Sequence, residues 1–369
     1  MKQLVIILAS VALTACTAQK KSVWYKGNTH THSTYSDGDT DVKEVIKWYH
    51  DNAYNFLFVT DHNYPLNPDS ISLPFAGRPD FLLIPGNEVS DIQVVHTSSL
   101  RTASFIPTIS YYGKKLSDGE MSESDFQTLP NTCSGILTMH VNEILEAGGL
   151  PVLNHPNFMS GIQVADILPV KGLRHMELFN GHPSVYNWGN EIHSAVEVKW
   201  DSILIQGKLV YGLASDDTHQ LKKTDREMAN PGRGWVMVNA ASLGFQDIVS
   251  AIENGTFYAS TGVFLKDYSV ENHLISVVID EKATVDEIKA GRGYPRKDLR
   301  EMTPGYCIEF IGYNGKILKS VNAKKAKYKI QSSDRYVRVR ISYKIETRGN
   351  VDVYYAWTQP EEAEKGFFK

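Results

Sequence analysis

The sequence predicts an α/β fold: a βα barrel of about seven strands, followed by a small all-β domain. Two observations favour the barrel. Short apolar runs alternate with amphipathic stretches between residues 24 and 238, and turn residues bound each run. A third observation favours the second domain, because apolar residues recur at every second position after Gly262. We expect the barrel to cover residues 23–265 and the β domain to cover 266–369.

The apolar runs have the length of strands that are buried on both faces of a parallel sheet. They lie at 56–59, 81–84, 150–153, 176–179, 209–213 and 235–238, and the segment 24–31 adds a seventh. Seven strands favour a TIM-like barrel with one βα unit fewer than eight over an open sheet.

Helices fit between these runs. Asp41 can cap a helix, with Glu44 at the third position of a capping box. Another helix has apolar residues on one face and ends at Gly255. The polar, Ser/Thr-rich segment 91–132 is longer than an ordinary βα loop, and it is predicted to form a lid or an extra wall over the barrel mouth.

The last hundred residues have a different pattern. Between 337 and 343 apolar and polar residues alternate, as they do in antiparallel strands with one buried face. Asn314-Gly315 separates two further apolar segments and favours a type I′ hairpin turn. The sequence therefore predicts a sandwich-like β domain at the carboxyl end.

Composition excludes several classes of protein. The chain has 369 residues, of which 42% are hydrophobic and 22% charged, which is ordinary for a globular protein and excludes disordered, collagen-like and disulfide-rich chains. The formal net charge is -4. Because this charge gives no basic surface, we do not expect stable nucleic-acid binding.

The first residues resemble a secretory signal. The apolar run 4–13 is too short for a permanent membrane span but is typical of a signal peptide. Leu13-Thr14-Ala15-Cys16 resembles a bacterial lipoprotein cleavage site. We expect a signal peptide over 1–15, a lipid anchor at Cys16, a tether over 16–22, and a lipoprotein of the bacterial envelope, in the outer membrane or periplasm. An ordinary signal peptide cut elsewhere is the alternative.

Two cysteines remain after this segment. Cys133 and Cys307 fall in different predicted domains, and connectivity cannot be deduced from sequence. Free thiols are therefore favoured over a disulfide, although an oxidising compartment would permit one.

Candidate metal ligands begin with His30 and His32. Two residues apart on a strand, both imidazoles point to the same side and could hold one metal ion. Other metal-capable residues directly follow the predicted strands: Asp61 and His62, Glu88, His155, and Asp217 and His219. The carboxyl ends of barrel strands open on one face, so these groups are predicted to converge there on a metal site.

These motifs resemble a known family. In chain order they are His30-Thr31-His32 with Ser36-Asp37-Gly38, Thr60-Asp61-His62, Pro85-Gly86-Asn87-Glu88, Asn154-His155-Pro156 and Asp217-Thr218-His219. Over residues 24 to 262 they resemble the PHP (polymerase and histidinol phosphatase) family. The resemblance implies a distorted seven-stranded βα barrel, a cluster of commonly three metal ions, and metal-dependent hydrolysis of phosphoesters.

Carried over position by position, the resemblance implies three ligand groups: His30, His32, Glu88 and Asp217; Glu88, His96 and His155; and Asp37, His62 and His219. Glu88 would bridge the first two ions. His140 is a rival to His96. Asp217, Glu88 and His219 are the predicted catalytic residues, since two bridged cations would activate a water and Asp217 or a neighbouring histidine would handle its proton.

The ligand types suit manganese, iron or zinc better than calcium, whose sites lack imidazole, so we expect two or three such divalent ions. Two further residues are weaker candidates for substrate binding. Glu177 ends a strand on the same face and could orient a ligand or a water, or be only a buried carboxylate. Arg233 could bind a phosphate oxygen. The remaining histidines are interpreted as structural: His50, His140, His175, His182, His193 and His273.

Three functions follow as hypotheses. The first is a phosphoesterase that acts on a phosphorylated small molecule or an oligonucleotide-like substrate. The second is a metal-dependent hydrolase of an amide or a sugar linkage, because fold and metals do not fix the bond that is cleaved. The third is a non-catalytic binding lipoprotein of the envelope, against which the near-complete ligand set argues.

Overall fold

The computed structural model describes residues 22–72, 79–159, 161–293, 303–347 and 350–369. The predicted signal peptide and the predicted lipid anchor at Cys16 lie outside the described residues. Within the described ranges, no helix has both the length and the apolar character that a membrane span requires. Cys133 and Cys307 are not bonded to each other.

The strands of the described residues are β1 (Val23–Asn28), β2 (Phe56–Phe58), β3 (Leu82–Ile84), β4 (Gly86–Ser90), β5 (His96–Leu100), β6 (Leu150–Leu153), β7 (His175–Asn180), β8 (Tyr211–Ser215), β9 (Trp235–Ala240), β10 (Phe257–Ser260), β11 (Leu265–Glu271), β12 (Leu274–Ile279), β13 (Thr303–Ile311), β14 (Ile317–Val321), β15 (Lys325–Lys329), β16 (Tyr336–Thr347), β17 (Asn350–Thr358) and β18 (Glu361–Glu362). The α-helices are α1 (Val42–Asp51), α2 (Ile109–Ser117), α3 (Glu123–Phe126), α4 (Cys133–Glu146), α5 (Val164–Ile167), α6 (Val196–Leu204), α7 (Phe245–Glu253) and α8 (Glu281–Ala290).

These strands form three sheets. The largest has ten strands in the order β14-β13-β16-β17-β10-β9-β1-β2-β3, with β18 paired to β16. A second sheet has the order β4-β5-β6-β7-β8, and a third has the order β11-β12-β15. Helices and strands share buried apolar clusters, of which one joins α1 to the strands β16 and β17.

The predicted seven-stranded barrel is wrong. Among the described residues the strands form a mixed ten-stranded sheet and two further sheets, and no closed barrel is found. β9 is antiparallel to β1 and β10, and β5 is antiparallel to β4 and β6. Apolar runs show that a strand is buried on both faces but not which way it runs, so they could not separate a mixed sheet from a parallel barrel.

The carboxyl-terminal strands also differ from a separate sandwich. Val337, Val339 and Ile341 of β16 are buried, as the alternation predicts, but Arg338 between them is buried as well. However, β17 pairs with β10, with Ser260 opposite Ala356, so one sheet runs on both sides of residue 265. The part after residue 265 also contains a helix, α8. The domain boundaries remain predictions.

Local predictions can be compared with the structure. The Asp41 side chain caps α1 by accepting from the Lys43 backbone N–H. Asn314, with φ 61°, lies in the turn between β13 and β14, where the hairpin is predicted. The segment 91–132 is more than a lid, because it supplies β5, an inner strand of the second sheet, and the helices α2 and α3.

Candidate metal centre

Nine side chains predicted as metal ligands meet at one edge of the strands. His30 and His32 follow β1, and a bridge between Thr31 and Thr218 joins this segment to the one that follows β8. β5 runs antiparallel to its neighbours, so His96 at its start lies where they end. The structure groups the nine as His32, Asp37, His62 and His219; His30, His32 and Asp217; His30, Glu88 and His155; and His62, Glu88 and His96.

Three potential ligand atoms form the deepest part of the centre. His30 Nε2 and His32 Nε2 lie 3.1 Å apart. Asp217 Oδ1 lies 3.2 Å from each of them. All three side chains are buried. Ligand atoms around an ion at about 2.1 Å are themselves roughly 3.0–3.4 Å apart, so this triangle has the dimensions of one face of a coordination shell.

Glu88 lies between the ligand groups. Its Oε1 is 3.2 Å from His155 Nε2 and 3.4 Å from His96 Nδ1. Its Oε2 is 2.9 Å from His62 Nδ1 and 3.4 Å from His32 Nε2. Because its two oxygens face different imidazoles, Glu88 has the geometry of a bridging carboxylate.

The outer part of the centre is built around Asp37, whose side chain is half exposed. Asp37 Oδ2 lies 3.3 Å from His219 Nε2 and 3.5 Å from His62 Nε2. Asp61 holds the loop that carries Asp37, since it accepts from Ser33 N–H and from Ser36 N–H and Oγ–H. Asp61, although it follows a predicted strand, therefore positions a ligand instead of facing the centre.

Burial and charge oppose each other in the centre. Burial alone would raise the pKa of the Glu88 carboxyl, but the neighbouring imidazoles, first that of His30, hold this pKa well below its usual range. The pKa of Asp217 is lowered in the same way. Burial disfavours a charged His30, yet Asp217 and Glu88 together raise its pKa. Burial and the nearby His219 lower the pKa of His32.

The residues fit a divalent metal cluster. Glu88 Oε2 and His96 Nδ1 are buried, and among the described residues none of their close contacts has the geometry of a hydrogen bond, which is costly unless a cation or another ligand satisfies them. A donor set of imidazoles and carboxylates is typical of zinc, manganese or iron sites. The centre could therefore hold such ions.

The backbone is strained where two ligands leave their strands. His155 has φ 22° and Asp217 has φ 51°, although neither is glycine. Such conformations cost about 1–3 kcal/mol each and persist where the surrounding structure imposes them. They turn both side chains from the strand ends β6 and β8 towards the centre.

Glu177 lies beneath the ligands. It is buried, and its carboxylate accepts from His30 Nδ1–H at 2.8 Å and from the His155 backbone N–H at 2.7 Å. It also accepts from Asn180 Nδ2–H and from the Ser215 hydroxyl. Glu177 therefore orients two ligands, and it is not among the residues that line the cavity.

Arg233 is not brought to the centre. Its guanidinium is buried and donates to the carbonyl oxygens of Gly181, Gly293 and Asp225. His140 is also outside, because its Nε2 lies 3.2 Å from Asp91 Oδ2. Of the two alternative ligands, His96 and His140, the structure places His96 next to Glu88.

A cavity of about 250 Å³ opens over the centre. It is lined by Asp37, His62, Glu88, His96, His155, Phe158, His182, Val185, Asp217, His219 and Gln220. On the sequence alone, His182 is interpreted as structural. Its position could have indicated a place in the site, because His182 follows the end of β7 as the candidate ligands follow other strands.

Comparisons give structural neighbours only. No family model and no curated protein sequence matches the chain. One similar solved structure, from Bacteroides vulgatus, is a two-domain protein containing a predicted PHP-like metal-dependent phosphoesterase; it is 13% identical, with 91% of this chain and 87% of that chain covered and a TM-score of 0.43. Another is a proposed metal-dependent phosphoesterase from Bifidobacterium adolescentis, at 13% identity, 53% and 88% coverage and a TM-score of 0.36. An amidohydrolase from Chromobacterium violaceum, with bound sulfate, is 19% identical at 52% and 87% coverage, with a TM-score of 0.34.

Proposed function

We propose that this protein is a metal-dependent phosphoesterase of the PHP type, which hydrolyses a phosphate ester with a metal-activated water. The observation that carries the proposal is the position of Glu88, whose two oxygens face His155 and His62 at 3.2 Å and 2.9 Å respectively. A carboxylate placed in this way can bridge two cations in a cluster, which is the arrangement used by many phosphoester hydrolases.

The chemistry divides between the ions and the chain. Two or three divalent ions, of manganese, iron or zinc, would lower the pKa of a water and neutralise phosphoryl oxygens. Asp217 and His219 line the cavity and are the residues that we expect to accept the proton of the attacking water. Glu177 keeps His30 and His155 in place through its hydrogen bonds.

The size of the cavity bears on the substrate. At about 250 Å³ it is smaller than the roughly 300–1,000 Å³ of typical pockets for drug-sized ligands, so it suits the phosphoryl end of a substrate better than a whole large molecule. We propose a phosphorylated small molecule or an oligonucleotide-like phosphoester as the substrate.

The test is a substrate panel on the purified protein, loaded separately with manganese, iron or zinc. We expect hydrolysis of phosphomonoesters or phosphodiesters, and no hydrolysis of amides or glycosides. Cleavage of amides or glycosides alone would replace the proposal with the second enzyme hypothesis. Inactivity on every substrate with every metal would favour a binding protein.

We further propose that the mature chain is a lipoprotein of the bacterial envelope, anchored through Cys16. This rests on the sequence motif at residues 13–16. Metabolic labelling with a fatty acid should label the wild type and not a Cys16→Ser variant. Equal labelling of both would contradict the anchor.

A further inference from the structure

Among the described residues, His182 is the one histidine that lines the cavity but belongs to none of the four possible ligand groups. Its side chain is partly exposed, whereas the ligands His30, His32 and His155 are buried. It therefore faces the cavity with a ring that the metal centre does not use.

The position of His182 is fixed relative to the metal centre. The His182 backbone N–H donates to Asn180 Oδ1 at 2.8 Å. The Asn180 amide in turn donates to Asp217 Oδ2 at 3.1 Å. On the preceding residue, the Gly181 carbonyl accepts from Arg233 Nη1–H at 3.0 Å. Arg233, which the sequence suggested as a phosphate ligand, thus holds the chain segment that leads to His182.

The His182 ring also has two aromatic neighbours. Its centroid lies 5.4 Å from that of His219 and 6.4 Å from that of Phe158, and both contacts are edge-to-face. A ring confined in this way loses little further freedom when it binds a ligand.

One hydrogen bond determines which ring nitrogen can donate. The Ser184 backbone N–H donates to His182 Nδ1 at 3.2 Å, so Nδ1 acts as an acceptor. In the neutral imidazole the proton is then on Nε2, which is left as an N–H donor.

We propose that His182 is a substrate-binding residue, whose Nε2–H donates a hydrogen bond to a phosphoryl oxygen of the substrate in the cavity. This inference rests on the proposed function. Arg233 cannot make this contact with the anion, because its guanidinium is buried and donates to backbone carbonyls. The neutral His182 ring would make it instead.

The test compares His182→Ala and His182→Gln with the wild type, all loaded with the same metal. Binding of inorganic phosphate is measured by calorimetry, hydrolysis is measured as separate kcat and KM values, and bound metal is measured by mass spectrometry. One hydrogen bond to a charged group corresponds to about a 10- to 100-fold effect. We expect His182→Ala to weaken phosphate binding and to lower kcat/KM within this range, with bound metal unchanged and with partial recovery in His182→Gln.

A control variant tests whether a change in the segment between β7 and α6 is enough by itself to weaken phosphate binding. His193 belongs to the same segment between β7 and α6, but its Nε2 is bonded to the Met159 carbonyl instead of facing the cavity. His193→Gln keeps a donor there and should leave phosphate binding within about twofold of the wild type.

The outcomes separate this inference from the proposed function. Unchanged phosphate binding in His182→Ala would overturn the inference even if the wild type hydrolyses phosphoesters. Loss of metal in proportion to activity would overturn it too, because His182 would then be a ligand. If the wild type binds no phosphate, the inference fails; if it binds phosphate through His182 but cleaves no phosphoester, only the proposed function fails.

Discussion

His30 Nδ1 lies 2.8 Å from Glu177 Oε1, and both side chains are almost completely buried. This contact places a ring proton of His30 on Nδ1, so Nε2, which faces His32 and Asp217, is the nitrogen that could bind an ion. A carboxylate behind a metal-ligating histidine orients the ring and increases its basicity. Glu177 would thus orient His30 if His30 binds an ion.

Replacing Glu177 by glutamine should weaken metal binding. The carboxylate of Glu177 accepts four hydrogen bonds. The NH2 group of a glutamine would face at least one of these four donors and could not accept its hydrogen bond. We expect a 10- to 100-fold loss of affinity for the first ion, measured by competition with a chelating dye. Glu253→Gln, on the partly exposed face of α7, is the matched control. Equal affinities in Glu177→Gln and the control would show that Glu177 does not support the centre.

Lys199 of α6 should be required for the loop that carries His155. Its buried ammonium donates to the carbonyls of Pro156 and Ile162 and to Asn157 Oδ1. Lys199→Met would leave these acceptors unsatisfied, at a cost of about 1–3 kcal/mol each for groups that water cannot reach. We expect a lower melting temperature and a lower kcat.

Lys199→Arg separates charge from packing in that experiment. An arginine keeps a positive donor group on α6, so it should recover part of both the stability and the kcat that Lys199→Met loses. A methionine variant as active and as stable as the wild type would mean that the loop holds His155 without this contact.

Acid should destabilise the fold through His175. This residue at the start of β7 is buried, with Nε2 donating to the Ile252 carbonyl, and burial lowers its pKa from 6.5 to about 4. His175 binds a proton more tightly in the unfolded chain than in the folded one, so the free energy of unfolding falls as the pH falls from about 6.5 to 4. The loss approaches about 3 kcal/mol for such a shift.

The measurement is urea denaturation at pH 7, 5.5 and 4 for the wild type and His175→Gln. Because glutamine keeps a donor for the Ile252 carbonyl but does not titrate, the variant should lose less stability across this range. If the wild type and His175→Gln lose the same stability between pH 7 and pH 4, groups other than His175 cause the acid sensitivity.

Metal removal should destabilise the protein. The centre packs buried carboxylates and imidazoles together, and an ion that binds only the folded chain stabilises it by about 2.7 kcal/mol at a hundred times its Kd. We expect a chelator to lower the melting temperature, and manganese or zinc to restore it. The restoration should be absent in Glu88→Gln and Asp217→Asn and present in Glu253→Gln. A melting temperature that responds equally in all four proteins would place the stabilising ion elsewhere.

The convergence of the candidate ligands was predictable from the sequence because many of them follow strands that are parallel to their neighbours, and the carboxyl ends of parallel strands share one edge of a sheet. The strand directions were not predictable from the sequence. Phe56–Phe58 and Trp235–Ala240 are both apolar runs, but the first is parallel to β1 and the second is antiparallel to it. β5 was overlooked for a different reason. Its Thr97, Ser98 and Ser99 are polar yet buried, and such a strand resembles a loop in sequence.

The pairing of β10 with β17 has a consequence for any attempt to divide this chain. A fragment ending at residue 265 would leave β10 as a sheet edge, because Tyr258 and Ser260 would no longer lie opposite Thr358 and Ala356 of β17. Exposed edges recruit strands from other molecules, so such a fragment is expected to aggregate. An insertion or deletion in the carboxyl-terminal strands would also reach β9 and β1, and through β1 the His30 and His32 ligands. The two halves of the sequence are therefore expected to evolve, and to be engineered, as one unit.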